Sequence, residues 1–516
     1  MVCGRGRCGW GCDRQRVQRF TFVPKYARGL RLLVPWVMEK LRRSRRDYVV
    51  FGAEAARKIC KLHSCERDVS VVDNMADIFR RDAGNETLIW RPRTGASLVL
   101  RDAAIFIDEI LSSPQNHNSL AKRVADKLSC DENDLAQDAE LIYKEMMNAG
   151  LIPAKNSTDR NDVLQKYAEV NVAEQLECDV VGAFFARHNI PEELHLNLTN
   201  SCNEKCVHCY VDKRQNQFLP FQLAEKVLQE FRALNGATVH ISGGECMIHP
   251  EFEKVCKLCA DLNLNVIILS NLTLCDAARI EFLKTVDPQF INVSLYSMES
   301  KVHDEITRVD GSWQKTMNAI LKCHNEGIHI RIASPLLRAN RFSFAELNAF
   351  AKGLHLNFVP DCSIVPCNNH DCSNLGYACS QDELISALLD NKSLFDKGWE
   401  NARMPDCDEK VCDIGKSRVY VNADGTYYPC DSMNGYILGS VFGNSLEEIW
   451  NGDKMNLLRE LRNRDFMECA KCNDRPFCKV CPAYNFNATG DMLRTIPSKC
   501  EVARCIHHVY GGKGTC

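Results

Sequence analysis

Between residues 193 and 364, short apolar runs alternate with longer stretches of helical periodicity. The runs Leu194–Thr199, Thr238–Ser242, Val266–Ser270, Ile291–Tyr296, Ile328–Ser334 and Asn357–Ile364 have the length and composition of strands. The stretches 221–234, 250–262, 276–285, 312–326 and 343–353 between them read as helices. Repeated strand–helix units predict a parallel sheet or an open barrel, with chemistry at the carboxyl ends of the strands.

Upstream the pattern is different. Glu86–Trp90 and Ala96–Leu100 read as two short strands around a Pro- and Gly-containing turn. Helices follow over Ala103–Leu111, from Ser119 and from Asp134. The last puts Leu135, Ala139, Ile142, Met146 and Ala149 on one face and ends at Gly150. Strands followed by three helices make a small winged-helix-like module over 84–153. Residues 154–192 read as a linker with some helix. Past residue 400 the periodicity fades and cysteines dominate, which predicts a segment folded around metal.

A chain of 516 residues exceeds one ordinary core, so two to four domains are expected. A net charge of −3 gives no global field for nucleic acid or a membrane. The apolar stretch Leu30–Met38, broken by Arg31 and Pro35, is too short to span a bilayer. Residues 1–46 hold 11 Arg and 2 Lys against only Asp13 and Glu39, and read as a poorly ordered tail within a basic region, 1–83. Cys3, Cys8 and Cys12 there receive no role. The 29 cysteines are the anomaly. In a long chain with no secretory signal they read as reduced thiols binding metal in the cytoplasm.

Directly after the first barrel strand stand Cys202, Cys206 and Cys209, spaced C-x3-C-x2-C. Three thiolates on one loop can hold three irons of a [4Fe–4S] cube and leave the fourth open. The rival is a zinc site with His208 as fourth ligand. The second strand ends in Ser242-Gly243-Gly244-Glu245, with 33 residues between Cys209 and Gly243.

Loop and strand end together resemble the radical S-adenosylmethionine (SAM) superfamily, with His208 where an aromatic usually stands, Tyr210 just beyond, and Cys246 in place of a common proline. The resemblance implies reductive cleavage of SAM at the open iron, giving a 5′-deoxyadenosyl radical. It makes Cys202, Cys206 and Cys209 the catalytic cluster ligands and Gly243, Gly244 and Glu245 the contacts of the SAM amino group. Asn271 and Ser294 are further candidates for SAM contacts, and Arg331 for its carboxylate.

Cys412-x12-Gly425-x4-Cys430, then Cys469-x2-Cys472-x5-Cys478-x2-Cys481, then Cys500, resembles the SPASM domain of peptide- and protein-modifying radical SAM enzymes. The family usually has three residues before the last cysteine of the central group. By that resemblance Cys407, Cys412, Cys430 and Cys481 hold one auxiliary [4Fe–4S] cluster, and Cys469, Cys472, Cys478 and Cys500 a second. Cys505 competes with Cys500. A pair of structural zinc sites is the rival. Cys362, Cys367, Cys372 and Cys379 lie in a bridge, 366–400 and its approach; their spacing is not a familiar ligand set, and against metal binding or engagement of a thiol substrate they read as free thiols in a polar loop.

The 84–153 module resembles the peptide chaperone of pyrroloquinoline quinone biosynthesis, also called the RiPP recognition element, through its helical half and Asn148-Ala149-Gly150-Leu151. There a leader peptide adds as a strand to a sheet edge. The rival is a winged-helix-like domain of other purpose. The expected architecture is α/β: this module, a partial (β/α)6 radical SAM barrel over 193–365, and a cysteine-rich SPASM domain over 401–507 before a tail, 508–516. The expected function is maturation of a ribosomally made precursor peptide by a thioether or carbon–carbon link, using SAM, three [4Fe–4S] clusters and a donor such as ferredoxin or flavodoxin. Maturation of a folded protein, of the sulfatase or amine dehydrogenase type, and a non-catalytic cluster or zinc protein are the rivals.

Overall fold

Alternate residues of the barrel strands enter one apolar core. Leu194 and Leu196, Val239 and Ile241, Val266 and Ile268, Ile291 and Val293, and Ile330 and Ile332 are buried together against the surrounding helices. The intervening positions are largely polar: Glu193, His195, Asn197, His240, Asn292 and Arg331. A parallel sheet covered by helices on both faces would be apolar throughout. Here the second face is polar and suits a ligand.

The computed structural model describes residues 77–114, 117–152, 180–211, 216–367, 372–396, 399, 402–433 and 435–511. The basic arm with its cysteines, most of the linker and the end of the tail lie outside them. Twelve strands are described: β1 (Phe79–Ala83), β2 (Glu86–Arg91), β3 (Ala96–Arg101), β4 (Glu193–Asn197), β5 (Thr238–Ser242), β6 (Asn265–Ser270), β7 (Phe290–Ser294), β8 (Ile330–Pro335), β9 (Asn357–Asp361), β10 (Arg418–Val421), β11 (Thr426–Tyr428) and β12 (Gly439–Ser440). β4 to β9 lie side by side in chain order and parallel, the expected six-stranded barrel sheet.

The sheet is longer than the periodicity implied. β10 pairs parallel with β4, Arg418 opposite Glu193, and β11 and β12 continue it as an antiparallel meander. The cysteine-rich segment is thereby built onto the barrel's first strand. The helix Ser300–Thr307 was also not foreseen, and the bridge contains the helix Gln381–Asp390, opened by a capping box between Ser380 and Glu383.

Two compact units are present, 105–144 and the remainder. In the smaller, the helices Ala104–Ser112 and Leu120–Leu128 are tied by Glu109, which takes Arg123 and Lys127 at 2.7 and 2.6 Å. In the larger, β1–β2–β3 form an antiparallel sheet that begins five residues before the expected module. Leu88 and Trp90 pack on Phe184 and Phe185 of the helix Val180–His188. Buried Arg81 donates from Nε to the Gly236 carbonyl (2.9 Å) and from Nη2 to that of Asn263 (2.8 Å). No described helix is long and apolar enough to cross a membrane.

Candidate active site and cysteine framework

The loop after β4 is held by backbone hydrogen bonds rather than by its cysteines. Lys205 and Val207 donate to the carbonyls of Thr307 and Ile306, each at 2.9 Å. This leaves the half-buried thiols of Cys202, Cys206 and Cys209 on one loop at the carboxyl end of the sheet. The Glu204 amide lies 3.4 Å from the Cys202 sulfur, and the Tyr296 hydroxyl 3.8 Å from that of Cys206. Donors aimed at sulfur are what a thiolate-bound cluster uses to set its potential. His208 stacks edge-on against Tyr296, ring centres 5.1 Å apart, in the packing role of the aromatic it replaces.

Gly243 and Gly244 press the end of β5 against that loop. The Gly244 amide donates to the Thr199 carbonyl (2.7 Å) and the Glu245 amide to that of Ser201 (2.9 Å). A Cβ on Gly244 would stand 2.3 Å from the Ser201 oxygen, and one on Gly243 2.6 Å from the Thr199 oxygen. Two adjacent positions that exclude any side chain, beside a three-thiol loop, fit a cluster with SAM laid across the glycine backbone.

The Glu245 carboxylate is turned inward and buried. Oε1 accepts from Ser270 Oγ (2.8 Å) and the Met247 amide (3.0 Å), Oε2 from the Asn271 amide (2.8 Å). Burial raises its carboxyl, and these hydrogen bonds partly offset the rise. Glu245 therefore braces the loop to the end of β6. Asn271 donates from Nδ2 to Asn203 Oδ1 (2.9 Å), joining the third strand end to the cluster loop. Ser294 sits beside Tyr296 at the end of β7. Arg331 stands in the neighbouring strand, β8. It lies opposite Asn292, one inward-facing layer below Ser294, donates to Asn292 Oδ1 (2.9 Å) and rests 4.1 Å from the Phe290 ring centre. Tyr296, Glu204 and Asn203 were missed, because single side chains supporting a loop carry no spacing signal.

In the C-terminal segment two groups of thiols form. Cys469, Cys472, Cys478 and Cys500 act on one another electrostatically, and burial with this crowding pushes the Cys469 thiol up to about 11. A thiol so placed releases its proton readily only as a metal binds the sulfur. Cys505 is instead buried in the apolar cluster of Phe344, Leu384 and Phe477. The second group is Cys412, Cys430 and Cys481, again mutually close. Cys407 is exposed between Asp406 and Asp408. Cys362 lines a cavity of about 780 Å³ with Cys412, Cys430 and Cys481, and the Cys367 sulfur lies 3.7 Å from the Cys209 carbonyl. Four thiols in one set and three in the other fit iron–sulfur clusters.

Comparison with known proteins agrees with this geometry. Residues 196–341 match the radical SAM superfamily and residues 412–473 the SPASM iron–sulfur cluster-binding domain. The chain is 25% identical over 343 residues to the subtilosin biosynthesis protein AlbA of Bacillus subtilis, covering 61% of this chain and 74% of AlbA. It is 21% identical to the AdoMet-dependent heme synthase of Methanosarcina barkeri, over 60% of this chain and 97% of that protein. The fold matches Streptococcus suis SuiB bound to S-adenosylmethionine with a TM-score of 0.55 at 16% identity, over 82% of this chain and 98% of SuiB. The chain therefore carries a radical SAM domain followed by a SPASM iron–sulfur domain, the make-up of a radical SAM enzyme.

Proposed function

We propose that the chain modifies a ribosomally made precursor peptide, closing a thioether or carbon–carbon link. The observation that most supports this is the match spanning 74% of AlbA, a bacteriocin biosynthesis protein. The structure of SuiB has also been determined with its precursor peptide, SuiA.

When loaded, the first cluster and SAM supply one electron and a hydrogen-abstracting radical. The chain's own part is to hold that chemistry in place. Cys202, Cys206 and Cys209 bind three irons, and Gly243 and Gly244 admit the methionine end of SAM. Glu245 and Asn271 fix the loop, and Ser294 lies at the adjoining strand end. Link formation leaves one electron to be removed from the peptide. Two auxiliary [4Fe–4S] clusters, at the Cys412 and Cys469 groups, suit that task. The β1–β2–β3 sheet would take the leader segment as an added strand. A ferredoxin or flavodoxin would reduce the first cluster, and a cytoplasmic setting would keep the thiols reduced.

The test is co-expression with a short cysteine-containing open reading frame beside the gene. Loss of two hydrogen masses per link, abolished by the Cys202/Cys206/Cys209→Ala triple substitution, is the expected result. An unmodified peptide, with 5′-deoxyadenosine released only on addition of an iron-bearing tetrapyrrole precursor, would instead favour a reading in line with the heme synthase match.

A further inference from the structure

The Cys412, Cys430 and Cys481 group is one thiol short of a closed [4Fe–4S] site. The resemblance assigns the fourth place to Cys407, and the structure gives that residue poor credentials. The residue is exposed, as Cys412 is too, but carboxylate oxygens of Asp406 and Asp408 lie within 4.8 Å of its sulfur. Those charges oppose the negative charge of a thiolate-bound cluster. Its loop is also pinned by hydrogen bonds to the segment 463–464. Buried Asn463 donates from Nδ2 to the carbonyls of Asp406 (3.0 Å) and Glu409 (2.9 Å), and the Arg464 amide donates to the Cys407 carbonyl (3.0 Å).

Cys362 has the opposite surroundings. It follows the last residue of β9 and lines the same cavity of about 780 Å³ as Cys412, Cys430 and Cys481, a cavity that Cys478 of the other group also borders. The Lys499 ammonium lies within electrostatic reach of both Cys362 and Cys481, and the Tyr484 hydroxyl is likewise close to both. Lys499 is fixed there by Ser363 Oγ at 3.0 Å and by the Tyr484 ring, 4.8 Å from its nitrogen. A fixed cation beside two thiols complements the negative charge of a thiolate-bound cluster. The adjacent Asp361 carboxylate, which works against this, is tied to the Ser363 amide at 2.9 Å.

We propose that Cys362, in place of Cys407, is the fourth thiolate of the auxiliary cluster held by Cys412, Cys430 and Cys481. This rests on the three-cluster reading. The thiol releases its proton to solvent as the iron–sulfur bond forms, with no change of oxidation state. The bond fastens the end of the last barrel strand to the C-terminal domain, so the cluster is both an electron site and a staple between them.

The experiment uses the full chain, purified and reconstituted anaerobically, in a Cys202/Cys206/Cys209→Ala background so that only auxiliary signals remain. Iron near eight per chain there, falling by about four on Cys412→Ala, establishes the cluster itself. Without that fall the three-cluster reading fails, and this inference with it. Given the fall, Cys407→Ser is expected to keep the iron count and the electron paramagnetic resonance spectrum of the reduced protein. Cys362→Ser is expected to change that spectrum, and Cys362→Gly to recover it on addition of methanethiol. A changed spectrum in Cys407→Ser with an unchanged one in Cys362→Ser would overturn the assignment. So would a Cys362→Gly spectrum that matches the parent without thiol, or one that thiol does not alter.

Discussion

The amide of Gly244 donates to the carbonyl of Thr199 at 2.7 Å, joining the end of the second barrel strand to the start of the cysteine loop. Because a Cβ at 244 would meet the Ser201 oxygen at 2.3 Å, the two segments can lie this close only with glycine there. Gly244→Ala should force them apart at a cost of about 1–3 kcal/mol. The expected result is SAM binding weakened by roughly 5- to 150-fold with cluster iron retained, measured by calorimetry on reconstituted protein.

Tyr296→Phe removes the hydroxyl that lies 3.8 Å from the Cys206 sulfur. A hydrogen bond to a cluster thiolate stabilises the reduced, more negative state. Its loss, worth about 1 kcal/mol, should lower the first cluster's midpoint potential by on the order of 40 mV. Iron content should not change. A redox titration followed by paramagnetic resonance checks this, and a potential that stays put would show that the hydroxyl does not bond the sulfur.

Cys500→Ala should remove about four irons per chain, and Cys505→Ala none. Cys500 stands among the second thiol group, whereas Cys505 packs in an apolar cluster. The Cys505 substitution should cost only stability. Iron analysis of the two variants decides between them.

Arg81 is buried, and its guanidinium serves two carbonyls of the barrel. Arg81→Leu leaves both without that donor, a loss of roughly 2–4 kcal/mol concentrated where the small sheet docks. Hydrogen exchange should quicken across β1–β3 while SAM cleavage without peptide stays near the parent rate. If the sheet receives the leader, peptide modification should fall with it.

The same sheet should loosen in acid. Burial by itself would raise the Glu86 carboxyl, but hydrogen bonds from Arg187, His188 and Arg101 outweigh it and hold the group at about 2, against an ordinary 4.5. A carboxyl depressed on folding binds more protons unfolded than folded through this range. Its stabilisation is complete above about pH 5 and is lost as pH falls from 4.5 toward 2. Glu86→Gln should lower stability at pH 7 and flatten that acid limb, read by denaturant titration at several pH values.

What the sequence by itself determined are features written in local spacing. The C-x3-C-x2-C loop, the Gly-Gly-Glu turn and the strand–helix rhythm are each written in short local stretches, so chain order alone placed the three-thiol loop, the glycine turn beside it and β4 to β9. The cysteine spacings likewise marked out the C-terminal framework. What only the tertiary structure decided depends on contacts between distant segments. β10 has four residues, too few for a periodic signal, and its place beside β4 comes from pairing Arg418 with Glu193 across more than 200 positions. The inward turn of the Glu245 carboxylate and the stacking of Arg331 on Phe290 follow from which partners packing brings within hydrogen-bond or van der Waals reach. The resemblance gave the fourth place beside Cys412 to Cys407. The folded chain instead brings Cys362, 50 positions earlier, to the same cavity, because a barrel strand end and a distant loop converge there.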